Sequence, residues 1–187
     1  MAHIAIPELT EEDLPAELRD KGGALVNVFR IMLRSPRIAT LVVQLGSAQF
    51  GSGSLPGADR ELAILTAGSC FESAYETSQH EAISDAFGVT AAQRGAVAVH
   101  QWDSPDLSPS QQALVAFVAA VAAGPTVPDD VFDAIQRYYS DQQVVETVIL
   151  TGYYFLIARV ASVLDVPQDP QPGDAVVQAG VSLNAGD

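Results

Sequence analysis

The chain has 187 residues, 48% of them hydrophobic and 17% charged, enough for one sizeable core and too few to need a second. Acidic residues outnumber basic ones 23 to 9, and the formal charge of −14 would repel a phosphate backbone, which argues against nucleic acid as a partner. The single cysteine, Cys70, can neither close an intrachain disulfide nor build a thiolate metal site.

Residues 1–4 have no basic stretch leading into a sustained apolar run, so no secretory signal is expected. Apolar segments elsewhere meet Arg, Asp or Gln before the roughly 20 residues of a bilayer span. The expected setting is the cytoplasm, with no membrane partner.

Thr10-Glu11-Glu12-Asp13 joins a capping oxygen to acidic first-turn residues and Pro15 sits where a first turn tolerates it, predicting a helix to about Lys21 that Gly22-Gly23 ends. Leu25, Val26, Phe29, Met32 and Leu33 share one helical face, and the pattern stops before Ser35-Pro36. Pro36 opens a helix carrying Ile38, Leu41, Val42, Leu45 and Phe50, which runs into Gly51-Ser52-Gly53-Ser54. Residues 58 to about 70 form the next helix, with Leu62, Ala63 and Leu65 inward and Arg60 and Glu61 in its first turn. Gly68-Ser69 marks a break. Ser73-Ala74-Tyr75-Glu76, spelled like a capping box, starts a helix to Phe87 that Gly88 stops.

A short helix follows over residues 90–100, then a loop over 102–107. Ser108-Pro109 opens an Ala- and Val-rich helix to Gly124, and Pro128-Asp129-Asp130 opens one to Tyr138 or Tyr139. Ser140 caps a long helix to about Leu164, apolar on every side and therefore central or interfacial. No alternating strand pattern occurs. The reading is an all-α single domain of about eight helices: an N-terminal helical arm (1–24), a helical domain (25–166) and a flexible tail (167–187).

Ser73, Glu76, His80 and Ser84 fall on one face of their helix. That stripe has two readings: a solvated edge with a cap and an i,i+4 Glu–His pair, or the polar wall of a site. Glu61 precedes His80 by nineteen positions, roughly 28 Å along a straight helix. The two meet only if the chain folds back, and the Gly68-Ser69 break supplies a reason for it to do so. The other histidines, His3 and His100, read as solvated or structural. The three together give no metal-ligand spacing, and no Gly-rich phosphate loop is present, so neither metal nor cofactor is expected. Cys70 reads as a small core residue.

The run Leu55-Pro56-Gly57-Ala58-Asp59-Arg60-Glu61-Leu62-Ala63-Ile64-Leu65, followed by Tyr75-Glu76 and His80, resembles the carboxymuconolactone decarboxylase-like pattern of the alkylhydroperoxidase D-like superfamily. A second matching block runs from Ser140 to Glu146 and on through Leu150-Thr151-Gly152-Tyr153-Tyr154 to Arg159, so the resemblance covers about residues 25 to 166. It implies the alkylhydroperoxidase D-like helical fold, assembly into homo-oligomeric trimers or hexamers, and convergence of Glu61 with His80. In the thiol-dependent branch two cysteines stand seven and four residues before the His; here those positions hold Ser73 and Glu76. A thiol peroxidase cycle by that route has lost both its sulfurs. Thr77 stands where relatives commonly carry Trp, and Glu72 where the pattern has a small residue. Glu72 adds negative charge that Arg60, Arg34 or Arg37 would have to offset.

The expectation is therefore a cofactor-independent lyase or isomerase acting on a small carbonyl compound by decarboxylation, dehydration or cyclisation. In it His80 moves a proton, Glu61 fixes its tautomer and Tyr75 donates to an enolate, while Ser73, Glu76, Thr77 and Glu72 meet the substrate. Two alternatives stand beside it: an alkylhydroperoxidase-type antioxidant protein using Cys70, and a non-catalytic oligomeric binding module.

Overall fold

A computed structural model of the chain describes residues 2–16, 18 and 25–169. Those residues form eight α-helices and no strand: α1 (Asn27–Met32), α2 (Pro36–Gly51), α3 (Gly57–Cys70), α4 (Ala74–Ala86), α5 (Ala91–Ala98), α6 (Pro109–Ala123), α7 (Asp129–Gln136) and α8 (Asp141–Val163). The all-helical reading holds, with helix starts at Pro36, Ser73, Ser108, Pro128 and Ser140 where capping residues and prolines placed them.

One helix differs. After Thr10 the chain makes a 3₁₀ turn, Glu11–Asp13, in place of the start of an α-helix, because the Asp13 carboxylate folds back to accept from both the Thr10 N–H at 2.8 Å and its hydroxyl at 2.7 Å. This closes the turn locally instead of opening a long helix. The rest of that expected helix, residues 17 and 19–24, lies outside the described residues, as does the tail from 170 onward. The end of α7 also comes early, at Gln136 rather than Tyr138 or Tyr139.

The hub is α3, which packs against α4, α5, α6 and α8. Every residue from Arg60 to Gly68 is buried, the charged pair Arg60 and Glu61 included, so this helix has no solvent face and no amphipathic stripe. The main core gathers Ile64 and Ala67 of α3, Leu114, Phe117 and Val118 of α6, and Leu150, Tyr154, Ile157 and Ala158 of α8.

α8 is two-sided. One face, including Val144, Thr147, Leu150, Thr151, Tyr154 and Ala158, is buried; the other leaves Val145, Val148, Ile149, Phe155, Leu156 and Val163 exposed. α2 likewise exposes Ile38, Leu41 and Leu45. Contrary to the expectation from interrupted apolar segments, α8 is long and apolar enough to cross a bilayer, yet half of its most apolar stretch is buried within the fold, as in the central helix of a globular protein.

Candidate active site

The chain reverses between α3 and α4 in three residues. Glu72 adopts φ +55°, the Glu72 N–H donates to Ser69 O at 3.1 Å and the Ser73 N–H to Gly68 O at 2.9 Å. This is a Schellman ending with a glutamate in the position glycine usually takes. The reversal thus comes after Cys70, while Gly68 and Ser69 remain inside α3. Gly68 has a different use. A Cβ there would sit 3.3 Å from both Glu76 Cβ and Thr77 Cγ2, so its bareness lets α4 lie close on α3.

That close packing carries His80 onto Glu61. The imidazole Nδ1–H donates to Glu61 Oε2 at 2.8 Å, and the Tyr154 hydroxyl of α8 donates to His80 Nε2 at 3.0 Å. With a carboxylate as the acceptor on one side, the ring carries its proton on Nδ1 and offers Nε2 as a lone pair. Tyr154 is buried; burial first, then the charges of Glu61 and Glu76, hold its phenol well above the usual value. It therefore stays an O–H donor toward Nε2.

The second oxygen of Glu61 meets Arg60 Nε at 3.4 Å. The Arg60 guanidinium is stacked between two rings, 4.2 Å from the centroid of Phe50 and 4.8 Å from that of Phe87, an arrangement that favours a buried cation. Phe50 also lies against the imidazole, ring centroids 6.4 Å apart. Arg34 instead donates to Ala5 O on the surface.

The polar stripe of α4 is buried rather than solvated: Ser73 is 2%, Glu76 3%, His80 7% and Ser84 0% exposed. Ser73 caps α4, accepting from the Glu76 N–H at 3.4 Å. The expected return bond from the Glu76 side chain is not made. Its carboxyl turns inward, where Oε1 has no hydrogen-bond partner, and burial pushes its pKa up to about 7 against a smaller lowering by His80. Gln79 beside it is 5% exposed with neither amide atom bonded, and the Tyr153 hydroxyl of α8 is equally without a partner. Each such group costs about 1–3 kcal/mol of desolvation.

The remaining expected residues are placed elsewhere. Tyr75 accepts from the Val28 N–H at 3.1 Å and donates to Asp169, which also takes the Asn27 N–H at the start of α1. Its hydroxyl is thus engaged at α1, and the phenol bonded to His80 belongs to Tyr154. Glu72, Ser73 and Thr77 line a cleft of about 790 Å³ between α3, α4 and α5, together with Arg94 and Gly95. Neither Glu61 of α3 nor Glu76 and His80 of α4 lines it. Cys70 is half-buried and free, its thiol pushed up by burial, which weakens it as a nucleophile. His100 bonds Ser69 Oγ at 2.9 Å and stacks on Trp102; His3 reaches Val163 O. No cluster of three potential metal ligands occurs among the described residues.

Sequence reasoning gave no role to Tyr154, Gln79 or Tyr153, and considered Arg60 only as a counter-charge. The available signal was the Tyr153-Tyr154 pair within an apolar helix, since a buried phenol needs a hydrogen-bond partner.

An all-helical chain with this order and packing has the alkylhydroperoxidase D-like fold, the fold of the carboxymuconolactone decarboxylase-like proteins. Its structural likenesses say so in particular. A peroxidase-related protein with an alkylhydroperoxidase AhpD core from Ralstonia eutropha superposes with a TM-score of 0.77 at 21% identity, covering 96% of each chain. The debrominase Bmp8, in complex with 2,3,4-tribromopyrrole, superposes at 0.75 with 18% identity over 94% of this chain and 97% of its own. A protein of unknown function from Agrobacterium tumefaciens, proposed to serve AhpD-type antioxidant defence, gives 0.68 at 23% identity over 74% and 95%. No protein-family model and no curated protein matches the sequence.

Proposed function

We propose that the protein is a cytoplasmic, cofactor-independent enzyme that moves a proton on a small carbonyl substrate with His80 as the base, leading to decarboxylation, dehydration or cyclisation. The observation that supports this most is the buried chain Glu61–His80–Tyr154, with bonds of 2.8 and 3.0 Å. Glu61 fixes the tautomer and favours the imidazolium that forms when Nε2 takes a proton. Tyr154 passes its own proton to Nε2 as it takes one from the substrate carbon, and the electron pair left behind moves into the carbonyl to give an enolate. In dehydration the enolate expels hydroxide, which leaves as water with the proton held on His80, and in cyclisation it closes a ring; in decarboxylation the same enolate forms as carbon dioxide leaves the carbon beside the carbonyl, and that carbon is then protonated. A structural likeness to a debrominase, itself an enzyme, is consistent with catalysis on this fold.

The test is turnover of a panel of 2-oxo acids, 3-oxo acids and hydroxylated or carboxylated lactones, followed by carbon dioxide release, loss of water and deuterium uptake beside the carbonyl. His80→Gln should lower kcat at least about 10²-fold with circular dichroism unchanged. Undiminished turnover in that variant overturns the assignment. The same proposal includes a homo-oligomer, a trimer or hexamer, supported by the exposed apolar residues of α2 and α8. Leu41→Asp combined with Ile149→Asp should reduce the mass seen by light scattering to that of one chain.

A further inference from the structure

Burying a hydrogen-bonding group without a partner is unfavourable, and native folds hold few such groups. Here they are concentrated. Glu76 Oε1, both amide atoms of Gln79 and the Tyr153 hydroxyl have no partner, and all three residues are more than nine-tenths buried. Glu76, Gln79 and His80 share one face of α4. From α8, Tyr153 and Tyr154 both feel the charge of Glu76, as does His80. Glu76 and Tyr153 therefore lie near the His80 chain, and Gln79 is one turn of α4 along from Glu76.

Their chemistry is complementary to one kind of ligand. Tyr153 and the Gln79 amide nitrogen are donors, suited to a carbonyl oxygen; burial, then the charge of Glu76, keeps the Tyr153 phenol well above its usual value and so protonated. Glu76 Oε1 and the Gln79 amide oxygen accept from an N–H or O–H next to that carbonyl. A carboxylate meets the opposite conditions. Glu61 and Glu76 are both buried here, and the guanidinium of Arg60 is turned to Glu61 and stacked between Phe50 and Phe87. A third acid would be desolvated beside two others.

We propose that Glu76, Gln79 and Tyr153 form the pocket for the carbonyl end of an uncharged substrate, one that presents a carbonyl oxygen and an adjacent N–H or O–H donor beside the Glu61–His80–Tyr154 chain. Binding in this pocket is independent of catalysis, while its mechanistic meaning rests on the reading of His80 given above. There it narrows the reaction, because a substrate without a carboxylate at this end undergoes dehydration or cyclisation and not decarboxylation. The Tyr153 and Gln79 donors then hold the oxygen on which enolate charge develops.

Acetamide and acetate are a matched pair of probes, alike in shape, the first neutral and the second an anion. The full chain, labelled with ¹⁵N-histidine, is titrated with each at pH 8; the charge of Glu76 there acts on His80 of its own helix and on Tyr153 and Tyr154 of α8. Acetamide should move the His80 ring signals with a Kd of about 1–100 mM, and acetate should bind at least about tenfold more weakly. Gln79→Leu and Tyr153→Phe should each weaken acetamide at least about fivefold, with the circular dichroism and the His80 signals of the free protein unchanged. Glu76→Gln should narrow the preference for acetamide over acetate. His80 signals that ignore acetamide, equal binding of acetate, or full acetamide affinity in the Gln79→Leu/Tyr153→Phe double variant each overturn the pocket. Acetamide binding that survives in His80→Gln, read there by saturation transfer to the acetamide methyl group, together with undiminished turnover there, would instead fault the catalytic reading and leave the pocket standing.

Discussion

Four helices begin with Ser or Thr followed three residues later by Glu or Gln, and three of them behave alike. At α5, α6 and α8 the bond runs both ways: Thr90, Ser108 and Ser140 accept from the backbone of Gln93, Gln111 and Gln143, whose side chains return to the cap N–H at 2.9, 3.1 and 2.9 Å. At α4 only half of the box forms. Ser73 accepts at 3.4 Å, but its own N–H already donates to Gly68 O in the tight reversal from α3. The return partner is taken, so Glu76 is released from capping and turned into the core. A short connection thus converts a capping residue into a buried acid beside His80, at a cost in stability. That cost distinguishes Glu76 from the hydrogen-bonded Glu61, His80 and Tyr154.

The sharpest contrast is with Glu61, the other buried carboxylate of the site. Glu61→Ala strips His80 and Arg60 of their partner and should destabilise the fold by about 3–5 kcal/mol in chemical denaturation. Glu76→Gln should do the reverse. Its carboxyl has a pKa of about 7 in the fold, above the ordinary glutamate value, so the native state binds that proton more tightly than the unfolded chain. Below the ordinary value both states are protonated and nothing is gained or lost; as pH rises toward 7 the unfolded state ionises first and stability falls; above 7 the whole penalty, on the order of 3 kcal/mol, is present. Removing it should raise the denaturation midpoint at pH 8 and leave it unchanged at pH 4. A midpoint equal to wild type at both values would mean that Glu76 is not desolvated as described.

A smaller effect is expected across the pocket. A Cβ at Gly46 of α2 would lie 2.4 Å from the Tyr153 hydroxyl, so Gly46→Ala must displace that ring. The strain should amount to about 1–3 kcal/mol, and acetamide affinity should fall with it, whereas Gly95→Ala, with open space around it, should leave binding unchanged.

The capping and proline signals placed most helix starts because they act within a single turn, and they hold at Pro36, Ser108, Pro128 and Ser140. The pairing of Glu61 with His80 was anticipated through the resemblance and the break near Gly68, yet the turn itself uses Glu72 in a left-handed conformation, which glutamate does not advertise. Tyr154 was illegible as His80's partner because it comes from α8, 74 positions away along the chain, and a long apolar helix gives no clue to which of its faces meets α4. The same gap hid the pocket. The sequence leaves Glu76 two readings, half of a capping box or a residue that meets the substrate, and only the competing bond from the Ser73 N–H to Gly68 O shows why it is not a cap.

The caps supply the finest test of the comparison. Ser140→Ala removes one side of a reciprocal pair that also anchors Gln143, and should cost about 1 kcal/mol. Ser73→Ala removes a single bond at the long limit of 3.4 Å, in a turn already closed by backbone donors, and should cost only about 0.5 kcal/mol. Urea midpoints for the two variants, measured beside Thr90→Ala as a second complete box, decide the matter. Should Ser73→Ala prove as costly as Ser140→Ala, the Ser73 hydroxyl would be carrying the start of α4 by itself, and the backbone reversal would not be what frees Glu76 to turn inward.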